Sequence, residues 1–165
     1  MSLEGLDDID WAGLTHAYGS AADVPAQLRA VATGSKTERE KAWYDLYGNI
    51  WHQGTVYEAT AHAVPFFVRL ANDQTRDDLG EILEYLSELA DGASYLDVHQ
   101  HTSLWSEEQR QTQKHKEQLA KELDWVSRTR SAVRAGQEAY ARLRVHPDES
   151  VQEAAAALMA VIDDE

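Results

Sequence analysis

Cysteine is absent from the 165-residue chain, and proline, phenylalanine and methionine are rare, with three, two and two residues respectively. The lack of cysteine excludes disulfide bonds and thiolate chemistry, and it fits a reducing compartment, so we expect a cytoplasmic protein. No apolar run approaches the roughly 20 residues needed to span a bilayer. No basic segment followed by an apolar one opens the chain, so we expect neither a membrane partner nor a signal peptide.

Basic residues are also scarce. The chain has 15 Lys and Arg against 29 Asp and Glu, a formal net charge of −14, and such acidity is common among bacterial proteins. An acidic surface repels a phosphate backbone, so the balance disfavours a nucleic acid partner. Nine of the fifteen basic residues lie between positions 106 and 144. This distribution is typical of a salt-bridged exposed helix, or of a segment that docks on the acidic remainder or on an acidic partner.

The apolar fraction of 43% is ordinary for a globular protein, and the length predicts a single domain, 1–165, with a real core. The most apolar and aromatic stretch is 42–71, which Gly54 divides into two helix-sized halves. The remaining segments are predicted as helices that cover this stretch. Its second half, 56–71, is predicted to pack between 37–52 and 76–90, with Phe66, Phe67 and Leu70 at the centre of the core.

Hydrophobic periodicity predicts an all-α protein without strands. The predicted helices cover residues 7–18, 22–33, 37–52, 56–71, 76–90, 106–144 with a break near Gly136, and 149–162, whereas 93–105 is predicted as a loop. Caps are expected from Asp23, Thr55 and Asp148. Pro65 is expected in the first turn of a second helical segment, as Pro25 is in its helix.

Two patterns recur along the chain. VPAQLRA at 24–30 returns forty positions later as VPFFVRL at 64–70, and AYARL at 139–143 fits the same frame. The helix ridge Ala42, Leu46 and Ile50 returns 112 positions later as Ala154, Leu158 and Ile162. These matches predict helix pairs at about 22–52, 56–90 and 128–162, with an insertion at 92–127.

A two-helix unit of about 40 residues resembles the HEAT repeat. Residues 144–162, RVHPDESVQEAAAALMAVI, are similar to the turn and second helix of that family. The resemblance implies a short α-solenoid, and it implies a protein-binding scaffold whose second helices line a concave face. The alternative is an irregular helical bundle in which the matches arose by chance.

The predicted helix 37–52 carries the candidate binding surface. Its core-facing row is Arg39, Ala42, Trp43, Leu46 and Ile50. Three aromatic residues and one histidine lie outside this row. Exposed Tyr and Trp side chains provide large contact areas at low entropic cost. We therefore predict that a partner protein binds Tyr44, Tyr47, Trp51 and His52. Cover by the helix 7–18 or by the insertion is the alternative.

Two groups of residues have spacings found in metal sites. Glu58 and His62 are four residues apart on one predicted helix face, with His52 nearby, and His99 and His101 flank Gln100 near Asp97. Both patterns are also typical of structural or incidental histidines, so we expect no metal and no cofactor. No P-loop, Gly-x-Gly-x-x-Gly or local Ser–His–acid motif is present. We expect no catalysis, while an enzyme using His52, Glu58 and His62 is left open.

These features together favour a small acidic scaffold that binds another protein and has no catalytic activity of its own. A second hypothesis is an acidic inhibitor or immunity protein for a basic toxin, because a negative field would steer a basic partner toward it. The sequence does not indicate an oligomeric state.

Overall fold

The computed structural model describes residues 3–164, and most of them are helical, which confirms the all-α class. These residues form nine α-helices: α1 Val24–Thr33, α2 Lys36–Asn49, α3 Glu58–Ala71, α4 Leu79–Asp91, α5 Tyr95–His99, α6 Glu107–Gln111, α7 Gln113–Arg134, α8 Gln137–Leu143 and α9 Glu149–Asp163. Two antiparallel β-hairpins accompany them, β1 Thr15–His16 with β2 Gly19–Ser20, and β3 Trp51–His52 with β4 Thr55–Val56. Within 3–164, none of the helices combines the length and apolar character required to cross a membrane.

The segment before α1 is not the predicted helix 7–18. It forms two 3-10 turns, Leu6–Asp8 and Trp11–Gly13, followed by the first hairpin. The indole Nε1 of Trp11 donates a hydrogen bond to the Leu6 carbonyl at 2.9 Å, and both side chains are buried. Gly19 has a φ of 116°, which closes the hairpin in a conformation that a helix cannot contain. The spacing of apolar residues in this segment is therefore compatible with short turns as well as with a helix.

The second hairpin corrects the prediction that the chain has no strands. Gln53 and Gly54 both have positive φ, 51° and 85°, as a two-residue type I′ hairpin loop requires. Helix α2 consequently ends at Asn49 instead of His52. Thr55 does not cap the next helix but lies in β4, where its hydroxyl donates to the His52 carbonyl at 2.7 Å.

Helix α3 lies at the centre of the core, with Phe66, Phe67 and Leu70 buried as predicted. It packs against α4, as predicted, and also against α1 and α7. Its contact with α2 runs through aromatic rings, because Trp43 stacks on Phe67 with ring centroids 5.7 Å apart. The largest difference from the prediction is α7, which begins inside the predicted insertion and is nonetheless a main neighbour of α3.

Pro65 lies in the middle of α3, and the expectation that it occupies a first turn is wrong. Pro25 does lie in the first turn of α1. Relative to the sequence match of Val64 and Pro65 with Val24 and Pro25, α3 has additional residues, 58–63, on its N-terminal side. The two prolines match in sequence, but they occupy different positions in their helices.

Within 92–134, helix α7 packs on α3 and α4 of the core, and the short helices α5 and α6 pack on α7. A short helix, α5, occupies part of the predicted loop 93–105, and α7 runs without interruption across the predicted boundary at 127/128. The buried Glu122 of α7 ties the two together, because its Oε2 accepts hydrogen bonds from Ser94 Oγ and Leu96 N, both at 2.8 Å. The predicted break near Gly136 is confirmed, since α7 ends at Arg134 and α8 begins at Gln137.

Candidate functional site

An open cleft with a volume of about 920 Å³ lies where the two hairpins meet the start of α1 and the second half of α2. All four residues predicted to bind a partner line it: Tyr44, Tyr47, Trp51 and His52. Tyr18, from the loop of the first hairpin, contributes another aromatic ring to the lining of the cleft. The hairpins are thus the elements that turn a helix face into a concave surface.

Tyr44 and Tyr18 are the most exposed of these rings, at 82% and 73%. The Tyr18 ring meets the edge of the half-buried His52 ring, with centroids 5.5 Å apart. A single exposed ring is common at protein surfaces, whereas several exposed rings in one cleft form the kind of contiguous patch that is typical of an interaction surface. Neither the 3-10 turns that replace helix 7–18 nor the segment 92–127 covers Tyr44.

Tyr47 and Trp51 have a divided role, because one side of each contacts the core. The Tyr47 ring lies 4.6 Å from the buried Tyr85 ring and 5.8 Å from Trp51, and Trp51 Nε1 donates to the Glu88 carbonyl at 3.2 Å. Burial, and to a smaller extent the nearby carboxylates of α4, raise the pKa of Tyr47 to about 12. Tyr47 and Trp51 are therefore partly covered from within the protein, as the alternative hypothesis required, but the covering element is α4.

A polar network forms the floor of the cleft around Asp23. Its Oδ1 accepts a hydrogen bond from His16 Nε2 at 2.9 Å, and its Oδ2 accepts one from Gln27 Nε2 at 2.9 Å. Asn49 Nδ2 donates to Gln27 Oε1 at 2.9 Å and to Asp23 Oδ2 at 3.4 Å. His16, Gln27 and Asn49 are buried, whereas the Asp23 side chain is 52% exposed. Asp23 precedes α1, as expected of a cap, but its carboxylate makes no capping hydrogen bond and is held by this network instead.

The network fixes the tautomer of His16. The backbone N–H of Tyr18 donates to His16 Nδ1 at 3.1 Å, so the ring proton lies on Nε2, where it is donated to Asp23. Both ring nitrogens are engaged, and His16 offers no free lone pair for general-base catalysis. The arrangement orients a carboxylate toward solvent, which suits recognition of a ligand better than catalysis.

The three candidate metal ligands near the second hairpin lie in different surroundings. Glu58 Oε2 accepts hydrogen bonds from the backbone N and the Oγ1 of Thr15, at 3.2 and 3.1 Å. His62 lines a separate shallow cleft beside Asp8 and Asp10, while His52 faces Tyr18. In the part of the chain that the structure describes, no three His, Asp or Glu side chains are grouped as a metal ion requires. The arrangement gives no support to a metal-dependent enzyme built on these residues.

Local contacts and exposure also account for the second candidate metal pair, His99 and His101. His99 lies at the end of α5, where its ring stacks on Tyr95 with centroids 4.4 Å apart and its Nδ1 lies 2.8 Å from the Tyr95 carbonyl. His101 is exposed beyond the end of the helix. This contact accounts for the position of His99 without a metal.

The residues that α2 and the start of the second hairpin contribute to the cleft were predictable from the sequence, whereas Tyr18 and Asp23 were not. Tyr18 lies at the end of the predicted helix 7–18 instead of in a hairpin loop, and Asp23 is predicted only as a cap. The missed signal is the sequence THAYGS, in which a β-branched residue precedes a Gly-containing turn. No protein-family model matches this chain, and comparisons with curated proteins and with solved structures find no similar protein.

Proposed function

We propose that this protein is a small helical module that binds another protein through the aromatic cleft. The observation that carries the proposal is the group of rings from two hairpins and one helix that converge on a single concave surface. Tyr and Trp are the residues most often found at the energetic centres of protein interfaces, because they bury large areas with few rotatable bonds. The exposed rings of Tyr18 and Tyr44 have the character expected of such anchors.

The scaffold that presents the cleft is proposed to be a short HEAT-like solenoid. In support, each of the sequence-adjacent helix pairs α1–α2, α3–α4 and α8–α9 is in contact, and the second helices α4 and α9 pack together. Helix α7 is an addition to this scheme, because it packs against both α3 and α4. In a solenoid each unit depends mainly on its neighbours.

Hydrogen exchange after Leu158→Ala in α9 tests the solenoid. The buried Leu158 side chain should support α8, α9 and the adjacent α4 more than the distant pair α1–α2. An equal loss of protection in all helices would indicate one cooperative bundle and would contradict the repeat architecture.

Photo-crosslinking tests the cleft. A benzophenone amino acid in place of Tyr44 should crosslink to the partner in extracts of the source cell, and mass spectrometry identifies the product. The tagged wild-type protein should then recover the same partner, whereas the double variant Tyr18→Ala with Tyr44→Ala should not. Both side chains are largely exposed, so their truncation should change stability by no more than about 0.5 kcal/mol each.

Tyr95→Ala is the matched control, because it removes a tyrosine that is 40% exposed and does not line the cleft. Equal recovery of the crosslinked partner by the wild type and by both variants would contradict the choice of this surface. Loss of recovery with Tyr95→Ala but not with the double variant would place the interface on α5.

A second candidate function is an acidic inhibitor or immunity protein for a basic toxin. The observation that favours it is the net charge of −14, since a strong field of one sign accelerates encounter with a partner of the opposite sign. Association with a basic partner should then slow several-fold as salt rises from about 50 to 500 mM, while dissociation changes less. An association rate that is independent of salt would exclude the electrostatic part of this hypothesis.

A further inference from the structure

The cleft combines aromatic faces with one oriented carboxylate. Tyr18 and Tyr44 present exposed rings, and Asp23 lines the same cleft, where it is hydrogen-bonded to the first hairpin and to α2. The face of an aromatic ring is electron-rich and attracts a cation, most strongly where water is partly excluded. A carboxylate beside such rings adds a negative charge, so the rings and the carboxylate together favour the binding of positively charged groups.

Asp23 is held ready to accept further hydrogen bonds. Its two oxygens offer about four acceptor positions. The side chains of His16, Gln27 and Asn49 occupy three of them, one through a long 3.4 Å contact. These donors come from buried residues and fix the carboxylate in one orientation, while about half of its surface remains open to solvent. A ligand that pairs with Asp23 therefore meets a carboxylate that is already ordered.

The surrounding charges reinforce this preference. Among the described residues that line the cleft, Lys41 is the only Lys or Arg, and its ammonium group pairs with Asp45 on the same helix. On the side of α4, Glu81, Glu84 and Glu88 lie close enough to Tyr47 to act on its hydroxyl. The whole chain adds a net charge of −14. A basic segment would be attracted to this end of the molecule from a distance.

We propose that the cleft binds an arginine side chain from a basic segment of the partner protein, with the guanidinium edge on the Asp23 carboxylate and its face against Tyr44 or Tyr18. This inference rests on the proposed function and specifies its partner. Arginine fits better than lysine, because a planar guanidinium can donate through its edge and stack through its face at the same time. A compact ammonium group satisfies only one of these contacts well.

The experiment is an NMR titration of the ¹⁵N-labelled full chain with two peptides, acetyl-Gly-Gly-Arg-Gly-Gly-amide and its citrulline counterpart. Citrulline preserves the shape of arginine and removes its charge. The arginine peptide should shift the indole N–H resonance of Trp51 and the amide resonances of Tyr18 and Tyr44. The citrulline peptide should bind roughly five- to tenfold more weakly, because it replaces a charge-assisted hydrogen bond with a neutral one.

Two variants locate the contact. Asp23→Asn should reduce affinity for the arginine peptide by a similar factor and remove the difference between the peptides. Tyr44→Leu should weaken binding by roughly two- to fivefold. Tyr95→Leu, outside the cleft, should leave it unchanged. If Asp23→Asn disturbs the buried network and the fold, two measurements still test the arginine site. They are the comparison of the two peptides on the wild-type protein and the affinity of the Tyr44→Leu variant.

Equal affinity for the two peptides, shifts confined to residues outside the cleft, or no shifts with either peptide would overturn the inference. Those results would leave the proposed function standing if crosslinking from position 44 still identified a partner whose recovery depends on Tyr18 and Tyr44. Conversely, a charge-dependent shift without such a partner would support the arginine site and contradict the proposed function.

Discussion

Replacement of Phe67 by alanine is the most direct test of how the core is organised. Its side chain is fully buried, stacked on Trp43 at 5.7 Å and meeting the edge of Tyr85 at 5.2 Å. Truncation of a buried phenylalanine costs about 3–5 kcal/mol, and the loss of two aromatic pairs places the expected cost near the upper end, about 4–5 kcal/mol. Domains unfold with about 5–15 kcal/mol, so the variant should lose roughly a quarter of its stability or more.

Urea denaturation followed by tryptophan fluorescence measures this loss, and calorimetry should show Tm lowered by roughly 8–20 °C. Phe66→Ala is the matched comparison, because that ring is also buried but contacts a single aromatic ring, Trp11, at 6.3 Å. It should cost about 3–4 kcal/mol. Tyr44→Ala, at the exposed surface, should change stability by no more than about 0.5 kcal/mol.

A double-mutant cycle of Phe67→Leu with Tyr85→Leu separates the aromatic contact from simple burial. The coupling free energy should be about 0.5–1.5 kcal/mol. A cost for Phe67→Ala below about 2 kcal/mol, with an unchanged denaturant slope, would refute the central position assigned to α3. A coupling near zero would show that the two rings are neighbours without stabilising each other.

Three other outcomes are expected from measurements of stability. Pro65→Ala should raise stability by up to about 3 kcal/mol in urea denaturation, because it restores an amide donor inside α3; a loss would instead show that the core packing requires the proline. Gly92→Ala should cost about 1–3 kcal/mol by the same assay, since a Cβ there would lie 2.4 Å from Val56 Cγ1, whereas the control Gly80→Ala has open space and should be neutral or slightly stabilising. Burial raises the pKa of Tyr47 from its ordinary value near 10 to about 12, so the folded state keeps a proton that the unfolded state releases. The free energy of unfolding should therefore fall as pH rises from about 10 through 12, and circular dichroism melts at pH 9, 10 and 11 that show no decline would contradict this assignment.

The helices with strong local signals could be predicted from the sequence. Ser35 caps α2, where its hydroxyl and the Glu38 carboxylate form a capping box, and Asp148 caps α9, where its carboxylate accepts from Ser150 N at 2.9 Å. The core position of Phe66 and Phe67 followed from the apolar character of α3. In each case the deciding interactions lie within one or two helical turns of the chain.

The features that sequence reasoning missed depend on contacts between distant segments. The side-chain amide of Gln27 and the ring of His16 turn the Asp23 carboxylate away from its cap position, and no local pattern reveals that competition. The partner-binding prediction for Tyr44 rested on its position around one helix, whereas the concavity of the surface comes from the two hairpins. Their strands are only two residues long, which is too short for an alternating pattern to stand out.

The position of α7 has a consequence for synthesis on the ribosome. Helices α3 and α4 complete their apolar contacts only with α7 and α9, yet α3 ends at Ala71 while α7 begins at Gln113 and α9 at Glu149. Translation adds roughly 5–20 residues per second, so α3 and α4 are synthesised seconds before the helices α7 and α9 that cover them. During that interval the apolar faces of α3 and α4 are open to water and to other nascent chains. The acidic residues that precede α7 thus give the nascent chain a like-charge repulsion that opposes aggregation until α7 and α9 have been synthesised.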